Sequence, residues 1–169
     1  ATRETALRQI IVAVDRTTRM VRQLLAIAKV DSTHAPSLSS VNVGEVIEEV
    51  VGALPTADRT SQVDIDPVLK NTVVAANREL LLAAIRNLQE NAVRHMQQPG
   101  IIRWSMERSP DSLTVFVDDE GPGIPDDEMA LVTSRFFRGR NKNSPGSGLG
   151  LSIVEVALRL VGARLVLQN

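Results

Sequence analysis

Two asparagines at helical spacing are the first residues in this sequence whose types suggest chemistry. Asn87 and Asn91 lie four residues apart in a segment that begins near Arg78 and carries an apolar stripe. On a helix, both side chains would therefore project from one face. Asparagine is a weak helix former because its side chain competes for backbone hydrogen bonds. Two of them on one face are either a solvated pair or a pair of amide oxygens directed at a metal–phosphate group.

Two glycine-containing runs have residue types that could bind the rest of a nucleotide. The first begins with Asp119 after an apolar segment, where a carboxylate could accept a hydrogen bond from the exocyclic amine of a purine. The second opens a helix, whose free N–H groups can approach an anion. Either run alone is a weak signal because turns use Gly and Pro widely, and the second lacks the spacing of a P-loop or a dinucleotide fingerprint. The runs are Asp119-Glu120-Gly121-Pro122-Gly123-Ile124-Pro125 and Gly146-Ser147-Gly148-Leu149-Gly150-Leu151-Ser152.

The elements that must position these residues follow from hydrophobic periodicity and turn signals. The patterns predict helices over residues 43–54, from 78 through both asparagines, over 126–132 and over 149–161, with Asn42 capping the first and Gly162 ending the last. They predict strands over residues 62–65, 72–75, 101–107, 112–118 and 164–167. Together they indicate an α+β fold, a two-layer α/β sandwich with one mixed sheet and helices on one face, preceded by a long bundle-forming helix.

The N-terminal segment has a heptad pattern typical of a helix bundle. Leu7, Val14, Val21 and Ala28 recur every seven residues, and such a wide apolar face needs a partner helix. We therefore expect either a dimer or a missing half of a helical hairpin. The sequence predicts three regions: the bundle helix in residues 1–31, a small, polar linker in residues 32–41 and the main domain in residues 42–169.

Composition excludes several classes of function. Hydrophobic residues make up 43% and charged residues 23% of the 169 residues, which is ordinary for a soluble globular protein. A net charge of -1 gives no electrostatic reason to expect nucleic acid as a partner. The chain has no cysteine, so disulfides and thiolate metal sites are excluded. No apolar run approaches the roughly 18 residues of a membrane span.

In this order, the motifs resemble those of the catalytic ATP-binding domain of sensor histidine kinases, in the gyrase–Hsp90–histidine kinase–MutL superfamily. The segment 87–92 resembles the N box, 119–124 the G1 box, 135–138 the F box and 146–151 the G2 box. The N-terminal helix resembles the second helix of the dimerisation and phosphotransfer hairpin. The similarity is greatest to sensor kinases related to polymyxin-resistance and quorum-sensing regulators. It implies that residues 1–31 are an incomplete hairpin and that residues 42–169 are the catalytic domain without its last strand.

The resemblance implies ATP and Mg²⁺ as cofactors and assigns roles to individual residues. Asn91 would ligate Mg²⁺, Asn87 would support the metal or a phosphate, and Arg94 would neutralise phosphate charge, so that Asn87 and Arg94 serve the transfer itself. Asp119 would bind the adenine amino group and His95 would pack on the base. Phe136 and Phe137 would hold a lid against the body of the domain, and Arg138 would reach the γ-phosphate. The remaining nucleotide-binding residues would be Gly121, Gly123, Ile124, Gly146, Ser147, Gly148, Leu149, Gly150 and Leu151.

Position 87 favours a kinase over an ATPase. The hydrolysing relatives have a glutamate there that activates water, whereas Asn87 cannot accept a proton. The phosphoacceptor is not recognisable, because His34 and His95 are the only histidines and neither has the sequence context of the family's acceptor. The resemblance implies transfer from ATP to a histidine outside this chain and then to an aspartate of a response regulator. It also implies a homodimer through the hairpin, a cytoplasmic location, and a parent protein anchored in the bacterial inner membrane. An ATPase of gyrase or MutL type and a non-catalytic ATP-sensing module are the alternatives.

Overall fold

The fold is described here from a computed structural model of the chain, for residues 37–54, 61–139 and 147–169. The chain divides into two units, Ala1–Ala35 and Pro36–Asn169, and every described residue belongs to the second. The elements in chain order are β1 (Ser39–Asn42), α1 (Val43–Gly52), β2 (Gln62–Ile65), a 3₁₀ helix (Pro67–Asn71), β3 (Val73–Ala76), α2 (Arg78–His95), β4 (Ile101–Arg108), β5 (Leu113–Asp119), α3 (Asp126–Met129) and α4 (Gly150–Leu160).

The described strands form two hydrogen-bonded ladders. In the first, β4 lies between β2, which is parallel to it, and β5, which is antiparallel. The turn between β4 and β5 is closed by the Ser109 N–H, which donates to the Ser112 carbonyl oxygen at 2.9 Å. In the second ladder, β1 pairs antiparallel with β3. The mixed sheet with helices that the sequence predicts is therefore confirmed, and β1 and β3 pair separately from it in the described residues.

One face of the mixed sheet packs against helices α1 and α2. Ile102 and Trp104 on β4 are buried together with Ile47 of α1 and Ile85 of α2. Strand residues two apart point to the same face, so Arg103 between them points the other way and is exposed. Burial on one face only explains why β4 alternates in sequence.

A second, smaller apolar cluster joins α2 to α4. Ala84 of α2 is buried against Val154 and Ala157 of α4. The two alanines allow the helix backbones to approach closely at this contact. As a result, the helix that carries the asparagines lies beside the helix that follows the second glycine run.

The helix ends follow the capping signals in the sequence. The Asn42 side chain accepts a hydrogen bond from the Glu45 N–H at 3.2 Å, as predicted. At the other end of the domain, Gly162 has a φ of 75° directly after α4. The Gly162 N–H donates to the Arg159 carbonyl oxygen at 3.2 Å and the Ala163 N–H to the Leu158 carbonyl oxygen at 2.8 Å, which is the Schellman arrangement.

Three differences from the sequence predictions are larger than a shift of one or two residues at the end of an element. Strand β1 begins at Ser39, inside the segment predicted as a linker. The strand predicted for residues 164–167 is wrong, because residues 163–169 have no regular secondary structure; Leu165 packs against the α2–α4 cluster instead. Helix α3 ends at Met129, earlier than predicted. The predicted bundle helix of residues 1–31 lies outside the described residues.

In the described ranges, no helix combines the length and the hydropathy that crossing a bilayer requires.

Candidate functional site

The asparagines of α2 face the first residue of α4. A Cβ added at Gly150 would lie 3.3 Å from Asn91 Oδ1 and 3.5 Å from Asn87 Oδ1. Asn91 Nδ2 would lie 3.4 Å from the same Cβ, so both side-chain amides lie against the start of α4 at Gly150. The amide nitrogen of Asn87 donates to the Ala83 carbonyl oxygen at 2.8 Å. This hydrogen bond identifies the other atom of the amide as the oxygen. Because Asn87 is only 5% exposed, it is not one of a solvated pair.

Helix α4 begins at this point and presents its N-terminus to the asparagines. The first N–H groups of a helix have no partner within it, and they carry partial positive charge. The preceding residue, Leu149, is buried and has no polar group with which to cap them. Ser147 Oγ instead accepts from the Leu149 N–H at 3.3 Å. Two amide oxygens and a helix N-terminus thus meet, an arrangement suited to a cation that arrives with its own anion.

Arg94 adds positive charge one turn further along α2. Its Nη1 lies 3.5 Å from Asn91 Oδ1, within hydrogen-bond distance, and its Nη2 lies 3.9 Å from Glu90 Oε2. The carboxylate of Glu90 is therefore directed at Arg94. The guanidinium lies where it could neutralise a phosphate bound near Asn91.

The C-terminal end of α2 meets the end of β5. Burial lowers the pKa of His95 and Arg94 lowers it further, while Asp119 raises it, so the imidazole and the carboxylate interact. The Gly121 N–H donates to Asp119 Oδ1 at 2.8 Å, which holds the carboxylate at the strand end. A Cβ at Gly121 would lie 2.5 Å from Asp119 Oδ1 and 3.4 Å from the His95 carbonyl oxygen. Glycine at this position lets the loop lie against both.

Two residues that the sequence did not single out hold the loop after β5. Glu120 Oε2 accepts from the Ile101 N–H at 3.2 Å, which ties the loop to the start of β4. The Asn169 amide pairs with the Ile124 backbone in both directions: its Oδ1 accepts from the Ile124 N–H at 2.8 Å and its Nδ2 donates to the Ile124 carbonyl oxygen at 2.7 Å. A Cβ at Gly123, whose φ is 73°, would lie 2.9 Å from Asn169 Oδ1. No local pattern in the sequence signals this pairing across 45 positions.

The segment after α3 is joined to the start of α4 through the backbone. The Phe136 N–H donates to the Gly148 carbonyl oxygen at 2.8 Å, and both residues have positive φ, 65° and 70°. The Phe136 side chain is 61% exposed, so the contact predicted for this ring is made by its backbone instead. Phe137 is partly buried, and its carbonyl oxygen would lie 2.7 Å from a Cβ at Gly148.

The predicted site residues thus fall into three connected groups. Asn87, Asn91 and Arg94 meet Gly150 at the start of α4, where Leu149 and Leu151 also lie. His95, Asp119 and Gly121 meet where the last residue of α2 reaches the end of β5, next to the loop of Gly123 and Ile124. Phe137, Ser147 and Gly148 join the segments that flank residues 140–146. Arg138 is exposed just before that gap, and Gly146 lies outside the described residues.

The donor set agrees with a metal bound through a nucleotide rather than through protein carboxylates. Within the described ranges there is no group of three or more His, Cys, Asp or Glu side chains that could hold a metal ion. Neutral amide oxygens alone bind Mg²⁺ weakly, but together with phosphate oxygens they complete its preferred oxygen shell. Asn91 and Asn87, beside a helix N-terminus, therefore fit the Mg²⁺ of a metal–nucleotide complex.

Comparison with known proteins identifies the family. Residues 76–169 match the family described as histidine kinase-, DNA gyrase B-, and HSP90-like ATPase, a stretch that includes α2, the loop after β5 and α4. The chain belongs to this family. It is therefore an ATPase-type domain of the superfamily that the sequence motifs indicate, and its relatives include named sensor histidine kinases.

Three relatives illustrate the similarity. The Escherichia coli K12 sensor protein QseC is 29% identical over 170 residues, which cover 99% of this chain and 37% of QseC. The structure of the mycobacterial sensor histidine kinase MprB is 27% identical with a TM-score of 0.63, covering 74% of this chain and 80% of that one. Full-length ShkA, solved in complex with AMPPNP, has a TM-score of 0.72 at 20% identity and covers 96% of this chain and 35% of that one. The ShkA match shows the shared fold only. The chain spans little more than a third of QseC, 37%.

Proposed function

We propose that this chain is the catalytic part of a protein histidine kinase that binds Mg-ATP and transfers its γ-phosphoryl group to a histidine. The observation that carries the proposal is that the side-chain amides of Asn87 and Asn91 both lie against Gly150, at the N-terminus of α4. Membership of the ATPase family supports the nucleotide. The relatives named sensor histidine kinases support the reaction.

Two groups of residues divide the work of binding: those of α2 that face α4, and those where the C-terminal end of α2 meets the end of β5. Asp119 would accept a hydrogen bond from the adenine amino group, with His95 and Ile124 against the base and Gly121 and Gly123 allowing the loop to approach it. Asn91, supported by Asn87, would hold Mg²⁺, which when bound supplies charge neutralisation for the phosphates. Further residues would hold the triphosphate or the segment that closes over it: Arg94, Phe137, Arg138, Gly146, Ser147, Gly148, Leu149, Gly150 and Leu151.

The chemistry required of the protein is positioning and charge neutralisation. The bond from the γ-phosphorus to its bridging oxygen breaks, a bond to an imidazole nitrogen forms, and ADP leaves. Asn87 has no carboxylate with which to activate water, and Glu90 is directed at Arg94. Transfer to a protein nucleophile therefore fits this site better than hydrolysis does.

The acceptor and the later partners are inferred from the relatives. In the parent protein, we infer a helical hairpin that supplies the acceptor histidine, with residues 1–31 as its second helix and residues 32–41 as the link to the catalytic domain. Dimerisation through the hairpin, onward transfer to a response regulator aspartate, and anchoring of the parent in the bacterial inner membrane with this part in the cytoplasm belong to the same proposal. Sensor kinase relatives such as QseC support each of these inferences.

Calorimetric titration with ATP tests the nucleotide site. We expect the chain to bind ATP in the presence of Mg²⁺ and Asn91→Ala to lose most of the gain in affinity that Mg²⁺ provides. Arg86→Ala, an exposed position on the same helix, is the matched control and should bind as the unchanged chain does. Equal Mg²⁺ dependence in Asn91→Ala and the unchanged chain would contradict the metal role.

Base selectivity tests the other end of the site. We expect Asp119→Asn to weaken ATP binding, because an amide is a poorer acceptor than a carboxylate for the adenine amine. Asp118→Asn changes the neighbouring exposed carboxylate, which points to the opposite side of the strand, and should leave the affinity unchanged. Equal affinity of the unchanged chain for ATP and GTP would argue against the role of Asp119.

Phosphoryl transfer is tested by mixing the chain with a separate hairpin that contains the acceptor histidine. We expect label from γ-labelled ATP to appear on that histidine, and Asn91→Ala to abolish it. ATP hydrolysis without any hairpin would instead support an ATPase of gyrase or MutL type. Tight binding without transfer to any hairpin would support an ATP-sensing module.

A further inference from the structure

Gln89 and Trp104 form a buried polar pair on the sheet side of α2, the helix that carries the asparagines. Gln89 is 0% exposed and Trp104 is 1% exposed, and the Trp104 indole N–H donates to Gln89 Oε1 at 2.7 Å. Trp104 is the single tryptophan of the chain. Gln89 Nε2 is buried without a hydrogen-bond partner in the described part of the chain. A leucine and a phenylalanine could occupy these positions without leaving a donor unsatisfied, so stability alone does not explain the pair.

The pair lies on the opposite side of α2 from the asparagines. Gln89 follows Asn87 by two residues and precedes Asn91 by two. Side chains two positions apart on a helix point about 200° away from each other around its axis. Consequently Gln89 points towards β4 while both asparagines point towards α4. On the side of the sheet, α2 is therefore held by a hydrogen bond. On its opposite side, the asparagines face Gly150.

The apolar contacts of α2 do not fix its rotation as a hydrogen bond does. Ala84 and Ala92 are small, and although Ile85 and Leu88 also pack against the core, burial of apolar surface by itself has no preferred direction. A hydrogen bond weakens steeply when its angle departs from linear. A rotation of about 10° moves an atom roughly 5–6 Å from the helix axis by about 1 Å, which is enough to impair a site that depends on positioning.

We propose that Gln89 is a positioning residue: its hydrogen bond to Trp104 fixes the rotation of α2 about its axis and thereby directs the Asn87 and Asn91 amide oxygens at the N-terminus of α4. This inference rests on the function proposed above, in which those oxygens serve Mg-ATP. The competing explanation is that Gln89 only satisfies the buried indole N–H. Under that explanation, replacing the pair would change the stability of the protein and not its Mg²⁺-dependent ATP binding.

A double substitution separates the two explanations. In Gln89→Leu/Trp104→Phe, both polar partners are replaced by apolar groups, so neither leaves an unsatisfied group in the core. We expect an unfolding temperature at or above that of Gln89→Leu alone. We also expect the gain in ATP affinity provided by Mg²⁺ to fall about tenfold relative to the unchanged chain, because 1 Å errors can cost that much or more. ATP affinity in EDTA should change less, since Asp119 at the end of β5 still binds the base.

Ile85→Val controls for loss of core packing. Ile85 is buried on the same helix, and its substitution removes a methyl group without removing a hydrogen bond. This variant should be less stable and should retain the full Mg²⁺ dependence. If the double variant fails to fold, Gln89→Met with Trp104 retained replaces it. This substitution keeps the length of the side chain and removes the amide oxygen that accepts the hydrogen bond. The same fall in Mg²⁺ dependence is expected.

An unchanged Mg²⁺ dependence in the folded double variant, or in Gln89→Met, would overturn the inference and leave the pair as core packing. An equal fall in Ile85→Val would overturn it as well, because the effect would then follow stability. Failure of the proposed function is distinguishable: in that case, the unchanged chain itself would show no Mg²⁺-dependent ATP binding.

Discussion

At the scale of single residues, the roles of polar side chains depend on partners that are distant in sequence. Asn87 and Gln89 are amides two positions apart on one helix, and both are buried. Asn87 is paired within its own helix and faces α4, whereas Gln89 is paired with Trp104 across 15 positions. Helical spacing predicts that they face opposite sides. It does not predict that the sheet supplies an indole to one of them.

His95 gives the site a predictable response to pH. Its pKa is lowered from 6.5 mainly by burial, then by Arg94, and is partly restored by Asp119. The unfolded chain therefore binds a proton more readily than the folded one, and the free energy of unfolding falls as the pH drops below about 6.5. We expect His95→Gln to lose less stability than the unchanged chain between about pH 7.5 and about pH 5.5, measured as the urea midpoint at each pH.

The other histidine provides the control for this pH prediction. His34 is the only other histidine of the chain, and His34→Gln should keep the pH dependence of the unchanged chain. Carboxylates titrate at lower pH and affect all three proteins alike, so the difference between variants isolates the imidazole. The same fall in midpoint for His95→Gln and for the unchanged chain would show that protonation of His95 does not contribute to the pH dependence of stability.

At the scale of elements, local sequence patterns predicted the secondary structure correctly. Elements that need a partner distant in sequence were predicted wrongly. Helix α2 and strand β2 follow from periodicity over a few residues, and Asn42 caps α1 as its position predicts. Strand β1 was missed because Ser39 and Ser40 are polar and pair with β3, more than 30 positions away. The segment predicted as a strand at residues 164–167 is apolar after Arg164, but a strand-like run requires a neighbouring strand to become part of a sheet.

The contact between the segment after α3 and the start of α4 gives a prediction at the scale of elements. Gly148 and Gly162 have nearly equal φ values, 70° and 75°. A Cβ at Gly148 would lie 2.6 Å from the Phe136 carbonyl carbon, whereas a Cβ at Gly162 would meet nothing within 4 Å. Gly162→Ala should therefore cost only the left-handed backbone strain, about 1–2 kcal/mol. Gly148→Ala should cost clearly more, because a backbone clash is added to the same strain.

Chemical denaturation of the two glycine variants measures this difference in the free energy of unfolding. Gly162→Ala is the matched control, since its φ is similar and its surroundings are open. Equal losses in the two variants would mean that the Phe136 backbone moves away from Gly148 at no cost. In that case, the contact would not hold the segment in place.

At the scale of the whole chain, the candidate site is contained in one of its two units. The described site residues run from Asn87 to Leu151, and the loop partner Asn169 also belongs to the unit Pro36–Asn169. The heptad pattern of residues 1–31 predicts a bundle helix, and no residue of that segment is proposed to contact the nucleotide. Family membership rests on residues 76–169, within the same unit. The residues proposed to bind the nucleotide are therefore separable in sequence from residues 1–35.

This separation makes the last prediction. A chain shortened to residues 36–169 should fold and bind Mg-ATP within about twofold of the full chain's affinity, a difference well below the 1.4 kcal/mol of a tenfold change. All side chains proposed to contact the nucleotide remain, so calorimetric titration should give matching curves. Asn91→Ala in the shortened chain provides the control, and should lose the Mg²⁺ dependence there as in the full chain. A shortened chain that is folded but binds at least tenfold more weakly would mean that residues 1–35 contribute to the nucleotide site, because in that case the loss cannot come from unfolding.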